Sequence, residues 1–181
     1  RMIRKSGIVF DKVEIEAADV PFGIGSGSGV IFGVTGGVTE AVLRRLQQGH
    51  NRVDMESIKK SGVRGDDGIK VLTYNYNGRE IKAAVVNGLA NADKVLQQIK
   101  NHEAEYDFVE VMACRRGCIM GGGQPVNAGP RTRKARMKGL YDTDVNTQIK
   151  KSNENPMILS LYDTLLKGKE HELLHRNFSG K

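Results

Sequence analysis

The sequence contains no tryptophan and little cysteine, proline or aromatic side chain. Its 181 residues include two cysteines and four prolines, and aromatic residues make up 6% of the chain. Because few rings are available to stack on bases, nucleic acid is not an expected partner. Long apolar runs are also missing, since the longest, residues 29–32 and 83–86, are far shorter than the roughly 20 residues that span a bilayer. The sequence therefore predicts no membrane span.

The first residues of the sequence do not predict a secretion signal. Its first ten residues, RMIRKSGIVF, are basic but lack an apolar core of signal-peptide length and a small-residue cleavage site. We therefore expect a cytoplasmic protein. Because position 1 is arginine rather than methionine, we also expect that the chain either starts inside a longer protein or carries a residue left by cloning.

The composition is otherwise that of a folded globular domain. Hydrophobic residues make up 39% of the chain and charged residues 27%, and the net charge is +7. A chain of this length is expected to form one domain with a substantial core. The excess positive charge, which includes the run RTRKARMK at residues 131–138, is compatible with an acidic protein partner or with a solvated face.

Turn signals and β-branched residues predict the strands. Asn77 and Gly78 separate the apolar runs IKVLTYNY and REIKAAVV, and Asn-Gly between two such runs is the strongest short signal for a β-hairpin. Residues 108–112 are predicted to form a short buried strand that runs directly into Cys114. A further short strand is expected at residues 8–10, where three apolar residues follow the end of a helix.

Apolar residues at helical spacing predict the helices. One covers residues 39–48 with Thr39 as its N-cap, and another covers residues 89–102 with Asn91 as its cap. From residue 132 onward, successive helices are expected, broken at Gly139, residues 153–156 and Gly168. Strands and helices in this order predict an α/β fold with a sheet layer flanked by helices.

The residues best suited to chemistry lie in one loop, EVMACRRGCIMGGGQP at residues 110–125. Cys114 and Cys118, the two cysteines of the chain, follow a predicted buried strand, where open α/β sheets tend to place ligands. Two adjacent arginines and glycine-freed backbone N–H groups favour the thiolate, the form that binds metal. A zinc site or an iron–sulfur cubane needs four ligands, so two buried structural cysteines remain an alternative.

A glycine-rich stretch precedes the first of these helices. Residues 23–37, GIGSGSGVIFGVTGG, hold seven glycines around an apolar VIF, so we expect a bound group to lie against this backbone. A dinucleotide is not the expected group, because no G-x-G-x-x-G is present in register.

Three segments together resemble the catalytic domain of iron-only (FeFe) hydrogenases. The family's third cluster-binding motif is matched by Glu110, Met112, Ala113, Cys114, Gly117, Cys118, Gly121, Gly122, Gly123, Gln124 and Pro125. VIFGVTGGV at residues 30–38, continuing into Glu40 and Ala41, resembles the glycine turn beneath the cluster. NENP at residues 153–156, Tyr162 and ELLH at residues 172–175 resemble the C-terminal tail.

The resemblance implies an architecture. Residues 1–181 would be the C-terminal part of the catalytic domain, one lobe of a two-lobed α/β structure with a helical C-terminal tail. In this family, a four-iron cubane is joined through a cysteine sulfur to a two-iron unit, where protons are reduced to hydrogen or the reverse. An acidic ferredoxin would be the electron partner.

The resemblance also implies roles for individual residues. Cys114 and Cys118 would be the metal ligands, with Cys118 bridging to the two-iron unit. Met112 would pack close to that unit, which makes Cys118 and Met112 the implied catalytic residues. The cofactor would further be bound by Phe32, Gly33, Val38, Gly117, Gly121 and Gln124.

Part of the family pattern is missing from this chain. Two upstream motifs, T-S-C-C-P and M-P-C-x-x-K, would carry the other two cubane cysteines, and neither is present. The resemblance therefore implies a missing N-terminal half, and we expect this segment alone to be inactive and to hold no cluster. The alternative is a hydrogenase-related iron–sulfur or sensory protein that is not catalytic.

The chain also contains a short histidine motif that resembles part of a zinc site. His171 to His175 fits H-E-x-x-H, which places two imidazoles on one helix face. A zinc protease needs a third protein ligand, usually downstream, and only six residues follow His175. A surface histidine pair is therefore expected.

Overall fold

A three-stranded sheet in the order β1-β2-β3 carries the predicted cysteine loop. Strands β1 (Ile69–Tyr76) and β2 (Arg79–Asn87) pair antiparallel, and β3 (Phe108–Met112) pairs parallel with β2. The predicted hairpin turn is confirmed, because Asn77 and Gly78 have φ of 50° and 81°, the left-handed conformation that a type I′ turn requires. The predicted strand 108–112 is confirmed as well.

The computed structural model describes residues 1–17, 19, 24–47, 52–65, 68–125 and 129–176, without the side chains of residues 52–55. Within these ranges the α-helices are α1 (Met2–Lys5), α2 (Gly27–Val30), α3 (Gly37–Leu46), α4 (Arg52–Lys60), α5 (Leu89–Lys100), α6 (Pro130–Asn146), α7 (Pro156–Asp163) and α8 (Glu170–Leu174). Short 3-10 helices lie at Phe10–Lys12, Ile31–Gly33, Cys118–Met120 and Ser152–Glu154. The α/β fold class is confirmed. No helix of these described ranges is long and apolar enough to cross a membrane.

Helices cover both faces of the sheet. The central strand β2 is buried over residues 83–87, because its alternating side chains meet a helical layer on each side. One face packs against α3 and α4 in a cluster of Leu43, Ile58, Val63, Leu72, Ala83 and Val85. The other face packs against α5 in a cluster of Ala84, Val86, Ala92 and Val95.

A third core cluster lies beside the cysteine loop. It joins the segment after α2, the loop after β3 and α6, and its buried members are Ile31, Val34 and Ile119, with Met120, Met137, Leu140 and Tyr141 packed against them. Ile119 directly follows Cys118 and is 6% exposed. Burying a side chain of this size contributes roughly 1.5–3 kcal/mol, which anchors the loop to the segment after α2.

The start of α3 differs from the prediction. The helix begins at Gly37, with Gly36 as its N-cap at φ 87°, so the predicted cap Thr39 is wrong. Thr39 lies inside the first turn, and its hydroxyl donates to Glu110 on β3 at 2.7 Å. The helix ends at Leu46, and the predicted end at residue 48 lies outside the described residues.

Three further expectations are wrong. The cap of α5 is Gly88 rather than Asn91, because the Asn91 amide donates to the carbonyl oxygen of Asn87 at 2.8 Å. α6 continues through Gly139, since one glycine costs only about 1 kcal/mol and the residues around it pack on the third cluster. Residues 8–10 form no strand, because no neighbouring strand among the described residues supplies hydrogen-bond partners. The predicted break at Gly168 is confirmed, since it lies between α7 and α8. The break predicted at residues 153–156 starts earlier and ends one residue sooner, because α6 ends at Asn146 and Pro156 is the first residue of α7.

Candidate metal centre

The two thiols lie on the cysteine loop (residues 113–125), which follows β3. Cys114 and Cys118 are free and exposed, which is against the alternative of two buried structural cysteines. Arg116 and Gly117 between them both have positive φ, 71° and 76°. The N–H of Gly117 donates to the carbonyl oxygen of Cys114 at 3.1 Å. This turn reverses the chain, and Cys118 then opens a short 3-10 helix.

Arg116 holds a backbone conformation that residues with a side chain rarely adopt. Left-handed geometry costs such a residue roughly 1–2 kcal/mol. The cost is offset by a hydrogen bond, since the backbone N–H of Arg116 donates to Oδ1 of Asn87 at 2.6 Å. Asn87 is buried at the end of β2, opposite Met112 in the register. The cysteine loop is therefore held from the sheet.

The cysteine loop packs directly on the glycine turn (residues 30–38). A Cβ at Gly117 would lie 2.7 Å from the carbonyl oxygen of Gly33 and 3.1 Å from the backbone nitrogen of Thr35, so only glycine fits. A Cβ at Gly121 would lie 3.4 Å from Sγ of Cys114. The structure thus brings Gly33 to the loop and places Gly121 beside the first thiol.

Met112 and Gln124 lie at opposite ends of the loop. Met112 is half-buried, and its carbonyl oxygen accepts a hydrogen bond from the N–H of Gly88 at 2.8 Å. Gln124 is exposed and lines a cavity of about 370 Å³, together with residues 120–125 and Arg136. Met112 is therefore fixed by the sheet, whereas Gln124 borders open space.

Phe32 and Val38 lie in a different place from the thiols. They line an apolar groove of about 630 Å³ between α3 and α7. The other apolar side chains of this groove include Val42, Leu46, Ile158, Leu159 and Tyr162. Phe32 is 45% exposed. Neither thiol lines the apolar groove, so the structure does not bring these two predicted residues into one cavity with the cysteines.

A buried carboxylate is attached to the glycine turn. Glu110 is 4% exposed. Its Oε1 accepts from the N–H of Gly36, and its Oε2 accepts from the N–H and the hydroxyl of Thr39, each at 2.7 Å. In the sequence, Glu110 is recognisable only as part of the cluster-binding motif. The sequence did contain a signal for its role, namely a single glutamate within the otherwise apolar strand FVEVM. Because glutamate is almost never fully buried unless it is paired, a glutamate at such a position indicates a specific hydrogen-bond partner.

A buried ionic network joins α3 to α6. Arg44 donates to Glu40 at 2.6 Å and to both carboxylate oxygens of Asp144 at 2.8 and 2.7 Å, and Arg64 donates to Glu40 from the other side. Burial lowers the pKa of Arg44, but its hydrogen bond to Asp144 and the charges of Glu40 and Asp144 hold that pKa above its ordinary value. Tyr141 stacks on Arg64 at 3.9 Å, and burial raises the pKa of Tyr141 to about 12. Sequence periodicity gave no signal for this network.

The chain offers a metal centre two thiolates. Among the described residues, no three or more histidine, cysteine, aspartate or glutamate side chains are grouped so that they could hold a metal ion. His171 and His175 form an exposed pair with ring centroids 4.7 Å apart. A four-thiolate cluster built on Cys114 and Cys118 therefore needs two ligands from another segment.

Two family profiles match the chain. The iron-only hydrogenase large subunit, C-terminal domain, matches residues 1–122, and the iron hydrogenase small subunit matches residues 130–181. The first match contains the glycine turn, the sheet and both cysteines. The second contains α6, α7 and α8.

Several known proteins are similar to this chain over most of its length. Iron hydrogenase 1 of Clostridium pasteurianum is 37% identical over 97% of this chain and 32% of its own. The NADP-reducing hydrogenase subunit HndD of Solidesulfovibrio fructosivorans is 36% identical over 98% of this chain and 31% of its own length. The cytosolic Fe-S cluster assembly factor narfl of Xenopus tropicalis is 26% identical over 94% of this chain and 36% of its own length. The chain thus spans about a third of the length of these relatives.

The fold is also similar to solved structures. An [FeFe]-hydrogenase HydA1 variant from Chlamydomonas reinhardtii superposes with a TM-score of 0.61 at 32% sequence identity. The match covers 97% of this chain and 52% of that one. In fold as in sequence, the likeness covers nearly the whole of this chain and only a part of the protein that it resembles.

Proposed function

We propose, since this chain belongs to the iron-only hydrogenase family, that Cys114 and Cys118 supply half of the protein ligands of an iron–sulfur cluster. The observation that carries the proposal is the pair of free, exposed thiols on a loop that packs on the glycine turn. For the whole protein we propose reversible reduction of protons to hydrogen, with a ferredoxin-type electron donor, in the cytoplasm.

Residues 1–181 would form the C-terminal part of a single, longer catalytic domain. The N-terminal half of that domain would supply the two remaining thiolates. The partial coverage of the relatives supports this arrangement, because the chain spans about half of the solved hydrogenase chain and about a third of the curated ones. The net charge of +7 favours an acidic electron donor.

The residues of the site fit a cluster in their chemistry and in the space around them. Both thiols are exposed, so iron can reach them. Glycine at position 121 leaves space beside Sγ of Cys114, where a Cβ would be 3.4 Å away. When bound, the cluster would supply the redox chemistry. The two cysteines are half of a cubane's ligand set, which agrees with a site completed by a second segment.

Each residue of this chain would have a defined task. Cys114 would hold the cubane, and Cys118 would hold both the cubane and the two-iron unit. The soft thioether of Met112 would pack near that unit. Gly117, Gly121 and Gln124 would border the cluster with the backbone of the loop, in which their N–H groups donate to carbonyl oxygens of the loop itself. Gly33 would support the cysteine loop from the glycine turn, and Phe32 and Val38, which line the apolar groove, would act on the site from outside the cavity of the thiols.

Replacing each cysteine by serine in the intact polypeptide tests the proposal. Cys114→Ser is expected to lower iron content, and Cys118→Ser to lower both iron content and hydrogen evolution from reduced methyl viologen. The fall should be at least about tenfold, since even outer-shell partners of metal ligands are worth about 10–100-fold. Iron would be measured by colorimetric assay and hydrogen by gas chromatography.

The matched control is Gln98→Ser, at an exposed position on α5. It introduces the same side chain away from the cysteine loop and should keep the wild-type iron content and activity. Cysteine variants that are folded and retain wild-type iron would disprove that these thiols are ligands.

A second candidate is a non-catalytic iron–sulfur protein of the same family. The similarity to the cytosolic Fe-S cluster assembly factor narfl, at 26% identity over 94% of this chain, favours it. This candidate predicts the same loss of iron in the cysteine variants. It differs in predicting no hydrogen evolution by the intact, cluster-loaded polypeptide, so that one assay separates the two candidates.

A further inference from the structure

Helix α3 has no side-chain cap of its own. Its N-cap is Gly36, and the first N–H groups of a helix have no partner inside it. Glu110 supplies the partner from far away in sequence, because its carboxylate accepts from the N–H groups of Gly36 and Thr39, both at 2.7 Å. A carboxylate at this end also interacts favourably with the helix dipole. The cap of α3 is therefore provided by β3.

The position of Glu110 ties this cap to the cysteine loop. Glu110 lies opposite Val85 in the β2–β3 register and four residues before Cys114. Because β3 is hydrogen-bonded to β2, the carboxylate has a fixed place in the sheet. The glycine turn is thus fixed relative to the strand that leads into the cysteine loop.

A second contact joins the same two segments beyond the carboxylate. Gly117 lies so close to the glycine turn that a Cβ would be 2.7 Å from the carbonyl oxygen of Gly33. Ile119 packs with Ile31 and Val34 in the third core cluster. A glycine turn released from Glu110 would therefore shift against the residues that flank Cys118.

We propose that Glu110 is a positioning residue for the two thiols, acting through its carboxylate on the glycine turn. The proposal rests on the proposed function only in that the thiols are cluster ligands. Glutamine cannot replace Glu110. Whichever way its amide is turned, its NH₂ group faces the N–H of either Gly36 or Thr39, which are both donors.

The test compares Glu110→Gln with Glu105→Gln in the intact polypeptide, first in its cluster-free form. Glu105 is exposed five residues earlier, so it is a matched control for loss of a negative charge. Hydrogen exchange of residues 33–39 and the alkylation rates of the two thiols would be followed by mass spectrometry. Thermal unfolding would report whether each variant is folded.

In Glu110→Gln, exchange of residues 33–39 is expected to be at least about tenfold faster. The ratio of the alkylation rates of Cys114 and Cys118 should change, which a general loss of stability would not produce. Glu105→Gln should match the wild type in both measurements. In the cluster-loaded protein, Glu110→Gln should shift the midpoint potential. A folded Glu110→Gln with wild-type exchange and a wild-type alkylation ratio overturns the proposal.

Thr39→Val provides a milder variant if Glu110→Gln does not fold. It removes only the hydroxyl donor, one of the three hydrogen bonds to Glu110, and should give a smaller change in the same direction. A wild-type alkylation ratio in Thr39→Val would then overturn the proposal. The cysteine-to-serine variants decide separately whether the thiols bind iron, so failure of the proposed function is distinguishable from failure of this inference.

Discussion

Three carboxylates, Glu40, Glu110 and Asp144, are buried within the fold. Each is paired: Arg44 joins Glu40 to Asp144, and the glycine turn donates to Glu110. Leaving a buried charge without its partner costs about 3–5 kcal/mol. An arrangement of α3, α6 and β3 that separates these pairs is therefore unstable.

Tyr141 differs from these groups, because its buried hydroxyl has no hydrogen-bond partner among the described residues. Burial raises its pKa to about 12, whereas an unfolded tyrosine has a pKa of about 10. Between these values the unfolded chain loses a proton that the folded chain keeps, so stability falls as the pH rises through this window. Between pH 10 and 12 the wild type should lose up to about 2–3 kcal/mol of its free energy of unfolding. Tyr141→Phe should remove this loss and leave the free energy of unfolding at pH 7 unchanged or higher.

Urea unfolding of the wild type and the variant at pH 7, 10 and 11 would measure this difference. Tyr162→Phe is the control, since Tyr162 is 44% exposed. It should follow the wild-type curve at each pH. An equally steep alkaline decline in Tyr141→Phe would show that the phenol of Tyr141 does not cause it.

Among the helices, two glycines have opposite roles. Gly139 is exposed inside α6, and a Cβ there would meet nothing within 4 Å. A Cβ at Gly37, the first residue of α3, would lie 1.7 Å from the carbonyl oxygen of Ile31. We expect Gly139→Ala to stabilise the chain by about 0.5–1 kcal/mol through helix propensity, and Gly37→Ala to destabilise it by about 1–3 kcal/mol or more.

Thermal and urea unfolding of the two alanine variants side by side would check this prediction. Each variant is the other's control, since both make the same chemical change in a helix. If Gly139→Ala also destabilises the chain, α6 does not continue through this position as the structure shows.

At the same scale, the sequence predicted those elements whose signals are local. Asn77 and Gly78 specify the hairpin turn by themselves, and residues 108–112 specify a strand by their own side chains. The start of α3 could not be predicted in this way, because the carboxylate that accepts from its first N–H groups belongs to Glu110, 74 positions from Gly36. The buried network around Arg44 is hidden for the same reason, since Asp144 is 100 positions away. The cysteine loop and the glycine turn were both predicted from their motifs, and the structure places them in contact, but the separation of Phe32 from the thiols depends on packing.

The molecule exposes apolar side chains in the apolar groove, which neither thiol lines. Phe32, Leu159 and Tyr162 are 45%, 48% and 44% exposed in the apolar groove, which has a volume of about 630 Å³. Exposed, contiguous apolar surface of this kind marks an interaction site. It is consistent with the proposal that a further half of the domain completes the site.

A cubane bound to this chain alone would lack half of its protein ligands. Two thiolates leave half of a cubane's iron atoms without protein ligands, so this chain purified alone should contain iron and acid-labile sulfide near zero. Chemical reconstitution with iron and sulfide, followed by gel filtration, would measure both. The double variant Cys114→Ser with Cys118→Ser, treated identically, would report iron bound elsewhere. A stoichiometric cubane of about four irons per chain, absent from the double variant, would show that two thiolates suffice and that no second half is needed to hold the cluster.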